Sequence, residues 1–445
     1  MTKASATMKR IRRNHTINPV FSNPEGPQAA AEQMIYHMEN VFSGHLLNPH
    51  HNACATNNSN IQQPPFSIDN FPFDQNNLIS SLKHLPTRKA PGADHLWGEM
   101  IKPLIELIAP LLMCIFHLCW KWGTSPPTFR LAQVVSLYKK GDTQVLGNYR
   151  PISLTSIMRK LFEMCLQEPL ADIGPDLDIA QAGFRHHHSS LNQALCLHEL
   201  SNLHNRLHGE PVVLAMLDIG SAYDIVDHSI IWNILSPLLP IPFLFLLKNL
   251  FDEISVELLL SGTISRCIHP TTGVLQGSVL SPYLYSLYIN SLPSLLRDVE
   301  ADYITTNQLD DPFSFPAPQL FINKQQINCL LYADDVALIS TPTTMPLLLD
   351  ACEQHSIQLG YRWKPSKCVI LIANNLPIPV CLYGETLPLV PTFKYLGVPF
   401  DNTGSIDATR LIQQNSSSAL AAMHILYSIG VNLIGFSRLL STRLY

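Results

Sequence analysis

Hydrophobic positions recur along this chain with two periods, and each period predicts a kind of element. AAAEQMIYHMENVFSGHL, residues 29–46, repeats apolar residues at helical spacing and reads as an amphipathic helix. LIQQNSSSALAAMHILYSIG, residues 411–430, also reads as helical. LIELIAPLLMCIFHLCW (Leu104 to Trp120) and the run from Leu235 through LLPIPFLFLLKNLF are apolar on most sides. The first holds Glu106 and Pro110 and is short for a bilayer; the second is broken by Pro237, Pro240 and Pro242. Both are predicted core helices, and no transmembrane span is expected.

Two further runs have strand character. PVVLAMLD (Pro211 to Asp218) is β-rich and ends in a carboxylate; the turn residues Ile219, Gly220 and Ser221 follow, then a predicted helix from about Ala222. CLLYADDVALIS, residues 329–340, reads as two short strands joined at Ala333, Asp334 and Asp335. Burying unpaired carboxylates is costly, so acids inside an apolar run belong at a strand end, where a sheet presents its edge.

The segments between are polar. NPHHNACATNNSNIQQPP has linker composition and predicts a domain boundary near Pro65, whereas DYITTNQLDDPFSFPAPQ, residues 302–319, reads as a loop inserted between strands. With 46% hydrophobic and 14% charged residues, the 445-residue chain suits a folded protein of several lobes. Ten cysteines without a CxxC pair or zinc spacing suggest reduced thiols in an intracellular, non-secreted protein. A net charge of −5 does not favour nucleic acid, but a local basic groove suffices to bind phosphates. Lys3, Lys9, Arg10, Arg12 and Arg13 form a basic start, read as a solvated terminus or as a nucleic-acid or nuclear-import contact.

Asp218, Asp334 and Asp335 brought to one point would repel each other, and a divalent cation is the natural neutraliser. All-oxygen ligation favours Mg²⁺ or Mn²⁺. Two such ions about 3.5–4 Å apart are the usual device for in-line displacement at phosphorus. Taken alone, however, a DD dipeptide also suits an ordinary polar turn.

The neighbouring blocks add a resemblance. RKAPGADHLWGEMIK, FRLAQVVSLYKKGD, NYRPISLTSIMRKLFEMCL, QAGFRHHHSSLNQALCL, LDIGSAYDIVDH, GVLQGSVLSPYLYSLYIN, LLYADDVALIS, KPSKCVIL and YLGVPF follow one another between about Leu85 and Phe400. In that order they resemble the reverse transcriptases of non-LTR retrotransposons. The resemblance implies an α+β right hand with fingers at about 85–200, a palm of antiparallel sheet and flanking helices at about 205–390, and a partial helical thumb from 401 to 445. Residues 1–70 are expected to form a separate helical and linker region. The implied activity is RNA-directed DNA synthesis from dNTPs, on an RNA template and a DNA primer, with two Mg²⁺ or Mn²⁺ ions and in the nucleus.

The resemblance also implies roles. Asp218 and Asp334 are the main metal ligands, joined by the Ile219 carbonyl and, more weakly, by Asp335. Lys139, Lys140 and Arg150 close on the triphosphate, and which lysine does so is left open. Ser221, Ala222 and Tyr223 line the nucleotide, with Tyr223 the ring that excludes a 2′-hydroxyl. Gln276 reaches the nucleotide or template, and Gly277 leaves space for the base pair. Lys367 protonates the pyrophosphate; Lys364 stands where the family usually has Asn. Tyr395, Leu396 and Gly397 form the primer grip. Asp224 and Asp227, on the predicted early helix, are expected to stabilise its N-terminus. His186, His187 and His188 cannot all point one way, so they are read as template-contacting or exposed rather than metal-binding. The short ends suggest a fragment of a longer element, and a non-catalytic remnant that keeps the fold is the alternative.

Overall fold

The computed structural model describes residues 20–44, 71–208, 212–299, 321–322, 325–373 and 380–428. The basic start and the boundary expected near Pro65 lie outside these residues, as does the Asp/Pro-rich loop.

Two sheets organise the chain. The first has the order β2–β1–β4–β5, from β1 (Leu131–Tyr138), β2 (Tyr149–Thr155), β4 (Ser255–Leu260) and β5 (Thr263–Ile264). Within it β1 runs antiparallel to β2 and parallel to β4. The second, β8–β3–β7–β6, is wholly antiparallel and joins β3 (Val213–Asp218), β6 (Cys329–Tyr332), β7 (Asp335–Ser340) and β8 (Val369–Leu371).

An antiparallel sheet commonly leaves one face to water and then alternates in polarity. The second sheet does not, because both its faces are covered. Val213, Ala215, Leu217, Val336 and Leu338 join the main core. There they meet α8 (Ser281–Ile289) and α9 (Met345–Leu359). Leu214, Met216, Ala337 and Ile339 point the other way, onto α5 (Ser190–His208). This is why VLAML is apolar at every position.

The main core continues through α2 (Gln75–His84), α3 (Ile105–Trp122) and α4 (Ile157–Ile173), where the Phe116 and Phe162 rings stack at 4.4 Å. Helices α6 (His228–Leu235) and α7 (Ile241–Asp252) complete it. The α+β class expected from the sequence is the one observed.

Four expectations need correction. Residues 27–42 form the expected helix but not a separate region: α1 (Pro27–Phe42) lays Ala31, Met34, Ile35 and Met38 on Val134, Val256 and Leu258 of the first sheet. The linear division into fingers and palm also breaks down, since β4 and β5, from the expected palm range, pair with β1, while α5, from the expected fingers range, packs on the palm sheet. The helix predicted from Ala222 starts only at His228. Finally, the expected core helix α3 is buried on one face only: Ala109, Leu112, Phe116 and Trp120 point inward while Leu107, Leu111 and Trp122 are exposed. Among the described residues, Gly98–Trp122 is the stretch long and apolar enough to cross a membrane, and a third of its apolar 18-residue window is buried. The expected C-terminal helix is α10 (Ala408–Ser428), preceded by the hairpin of β9 (Thr392–Tyr395) and β10 (Val398–Asp401).

Candidate active site

The site forms where the second sheet ends. β3 closes on Asp218 and β7 opens on Asp335, and these two residues are direct partners across the ladder. Asp334 occupies the tip of the β6–β7 hairpin beside Ala333, whose φ of 58° is what a two-residue turn of this kind needs. Burial raises the Asp334 carboxyl above its usual range, and the Asp218 charge adds to the effect. Asp335 is pushed up to about 6 by burial and then by its neighbours Asp334 and Asp218.

The hairpin tip is held from behind by the QAGF segment. Gln181 Oε1 accepts the Ala333 amide at 3.1 Å and the Gly183 amide at 2.9 Å. Ala182 N donates to Leu331 O at 2.9 Å, and Gln193 Nε2 donates to the same carbonyl at 3.2 Å. Sequence reasoning missed both glutamines, because their bonds to the hairpin at Ala333 and Leu331 come from long-range pairing.

KPSK closes a tight turn beside Asp218. Lys364 N donates to Asp218 O at 2.9 Å, Lys367 N donates to Lys364 O at 2.8 Å, and Lys367 Nζ reaches Asp218 Oδ2 at 2.8 Å. Because Lys364 contributes its backbone amide, a lysine serves there as well as an asparagine. Ile219 continues the strand by bridging to Trp363.

Three cations face this acidic group. Lys139 follows β1 at the mouth of the β1–β2 hairpin, and its amide donates to Asn148 O at 2.8 Å. Its ammonium pKa is lowered by desolvation first and then by Arg150, against the pull of Asp224 and Asp218. Arg150 in turn acts on Asp334 and Asp224. Lys139 thus lies within electrostatic reach of Asp224 and Asp218.

The turn after Asp218 is tightly built. Ser221 has φ 50° and its carbonyl accepts the Asp224 amide at 2.8 Å; Ala222 is buried. The Tyr223 ring stacks on Tyr285 with centroids 4.9 Å apart and planes 11° from parallel. Burial and the nearby Asp334 charge both raise its hydroxyl pKa. Asp224 is not at a helix start, as the sequence suggested, but buried in the turn, and burial pushes it up to about 6. Gln276 Nε2 donates to Asp224 Oδ1 at 3.2 Å, so that amide is tied to the protein. Gly277 has φ 140°, and a Cβ there would stand 2.3 Å from the Ser153 carbonyl oxygen. Its missing side chain therefore makes room for β2. Asp227 does cap α6, accepting the Ser229 amide at 2.8 Å.

Buried His228 spans two acceptors. Nδ1 meets Asp252 Oδ1 at 2.9 Å and Nε2 meets Gly273 O at 2.6 Å, so both ring nitrogens must carry protons. Burial opposes the charge, but the Asp252 hydrogen bond and charge outweigh it and leave the His228 pKa raised.

At the β9–β10 turn, Leu396 and Gly397 have φ 47° and 93°, as in a mirror-image two-residue turn. Tyr395 points inward against Phe400, so of the three expected grip residues it offers no surface to a primer. His186 and His188 interact with each other, His188 Nδ1 lying 2.9 Å from His186 O. Among the described residues, no three His, Cys, Asp or Glu side chains already close around a metal ion. The donor set is nonetheless all oxygen; burial and then neighbouring carboxylate charge raise Asp334 and Asp335, and a bound divalent cation would relieve the charge part.

Acids at a sheet end, ringed by Lys139, Arg150 and Lys367, suit phosphate chemistry. Residues 138–400 match the family model for reverse transcriptase (RNA-dependent DNA polymerase). The chain is 28% identical over 341 residues to the RNA-directed DNA polymerase from mobile element jockey of Drosophila melanogaster, covering 73% of this chain and 34% of that protein. It is 25% identical over 350 residues to the probable RNA-directed DNA polymerase from transposon BS of the same fly, covering 74% and 36%. It thus spans about a third of the length of the curated relatives it matches. Among solved structures, apo telomerase from Candida Tropicalis aligns with a TM-score of 0.41 at 12% identity, covering 63% of this chain and 55% of that one, a likeness too slight to argue from. This chain belongs to the reverse transcriptase family, whose members are generally dependent on a divalent metal.

Proposed function

We propose that this chain is an RNA-directed DNA polymerase that extends a DNA primer on an RNA template, in the retrotransposition of a non-LTR element, with the nucleus as its place of action. The observation that carries the reading is the pairing of Asp218 with Asp335 beside Asp334 at one sheet end. Asp218, Asp334, Asp335 and the Ile219 carbonyl would hold two Mg²⁺ or Mn²⁺ ions. Bound there, such ions supply Lewis-acid activation of the primer 3′-hydroxyl and charge neutralisation at the phosphates.

The remaining work falls to the chain. Lys139 and Arg150 bind the triphosphate, the arginine by its two-pronged fork and the lysine as a point charge. Lys367, oriented by Asp218, gives its proton to the departing pyrophosphate. The Tyr223 ring, backed by Tyr285, excludes a 2′-hydroxyl from beneath the sugar. Gln276 and Gly277 form the turn on which the nucleotide rests, and the turn of Leu396 and Gly397 approaches the primer. Primer extension on an RNA template with dNTPs and Mg²⁺ tests this against Asp334→Asn. Extension by the wild type alone supports the reading; equal extension by the two, or none by either, overturns it.

A further inference from the structure

Helix α4 carries a carboxylate that this chemistry does not use. Glu163 and Arg159 are fully buried one helical turn apart, with Arg159 Nε 2.7 Å from Glu163 Oε1. A buried ion pair is a weak source of stability, because desolvation offsets the attraction. Arg159 is further fixed by Phe129 O at 3.0 Å and by the Phe251 ring. The Glu163 oxygens accept Ser278 Oγ at 3.0 and 2.9 Å and the Val279 amide at 2.6 Å.

Ser278 and Val279 directly follow Gln276 and Gly277. The other end of that turn is gripped by β2: Ser153 N donates to Gln276 O at 2.8 Å, and the Ser153 carbonyl fills the space beside Gly277. Strand β2 and helix α4 are consecutive, so a single strand–helix junction clamps the turn from both sides.

We propose that Glu163 is the positioning residue of the Gln276–Val279 turn: its carboxylate, neutralised by Arg159, fixes the turn against β2 and keeps Gln276 on Asp224. The proposal rests on the reading of Gln276 and Gly277 as nucleotide contacts. Loss of a purely structural ion pair would lower stability without changing how the nucleotide is held.

The test uses the full chain with Glu163→Gln and Ser278→Ala; the second leaves the ion pair intact and guards against misfolding. Steady-state primer extension and amide hydrogen exchange are measured together. Both variants should raise KM for dNTP about tenfold with little change in kcat, the factor one hydrogen bond to a charged group commands. Exchange should quicken at 276–279 and stay unchanged in the 329–340 hairpin. An unchanged KM, a KM rise without faster exchange at the turn, or faster exchange throughout overturns the proposal. If the wild type extends no primer, the polymerase reading fails, and exchange confined to the turn alone judges the clamp.

Discussion

The Lys367 ammonium lies 2.8 Å from the Asp218 carboxylate, joining a group proposed to release a proton to one proposed to hold metal. Any change at Lys367 therefore touches both. Lys367→Met is expected to lower kcat by about 10²-fold or more, the scale of a lost proton donor. Lys367→Arg, which keeps the charge but releases a proton poorly, should restore little. Single-turnover extension at saturating dNTP measures this, and full activity in Lys367→Met would refute the proton role.

Burial and charge repulsion at the sheet end give a stability signature. Asp335, pushed up to about 6, contributes stability that is present at low pH and lost as pH rises through about 6. Asp335→Asn should consequently raise Tm at pH 7 by about 2–4 °C without metal. Millimolar Mg²⁺ or Mn²⁺ should raise the wild-type Tm and leave Asp334→Asn nearly unmoved. Thermal melts with and without the ion decide, and an equal response of both proteins would argue against a metal at this site.

Sugar selection should depend on two stacked rings. Tyr223→Ala is expected to relax discrimination against ribonucleotides by about 10- to 200-fold, the range a tight apolar pocket commands. Tyr285→Leu, which removes the backing ring, should give part of that loss. Competition between dNTP and rNTP in primer extension measures both. Unchanged discrimination in Tyr223→Ala would leave the ring a plain core residue.

His228 predicts a pH effect in another window. Its pKa is raised above 6.5, so its contribution is complete below 6.5 and fades as pH rises through the folded value. The stability difference between wild type and His228→Gln should therefore shrink from pH 6 to pH 9. Urea unfolding across that range tests it, and a constant difference would rule out a charged His228.

Gly277→Ala meets a backbone oxygen as well as an unfavourable φ. It should destabilise by more than about 1 kcal/mol, the scale of an alanine forced into positive φ. A denaturation midpoint equal to wild type would mean that the β2 contact yields easily.

What the sequence made legible was local. The YADD hairpin and the acid ending β3 are period-two patterns with a turn between them, and their geometry follows from neighbours in the chain. The later helix start was hidden because Ala222 to Val226 is apolar enough to look helical, whereas its backbone is spent on a turn that carries Asp224 inward. Pairing of β1 with β4 and the hold of Gln181 on Ala333 join residues far apart, and no spacing encodes them. No spacing marks Glu163 either. Only the approach of Ser278 gives its burial a reason.

Helix α1 closes the first sheet although it lies some hundred residues ahead of the segment that matches the family. A protein trimmed to residues 138–400 would lose that helix and nearly all of β1, leaving Val256, Leu258 and Leu260 bare on a two-sided edge. Such an open apolar edge recruits other chains. The segment that matches the family and the unit that keeps its first sheet covered are thus different objects, and the second includes Phe21 and α1.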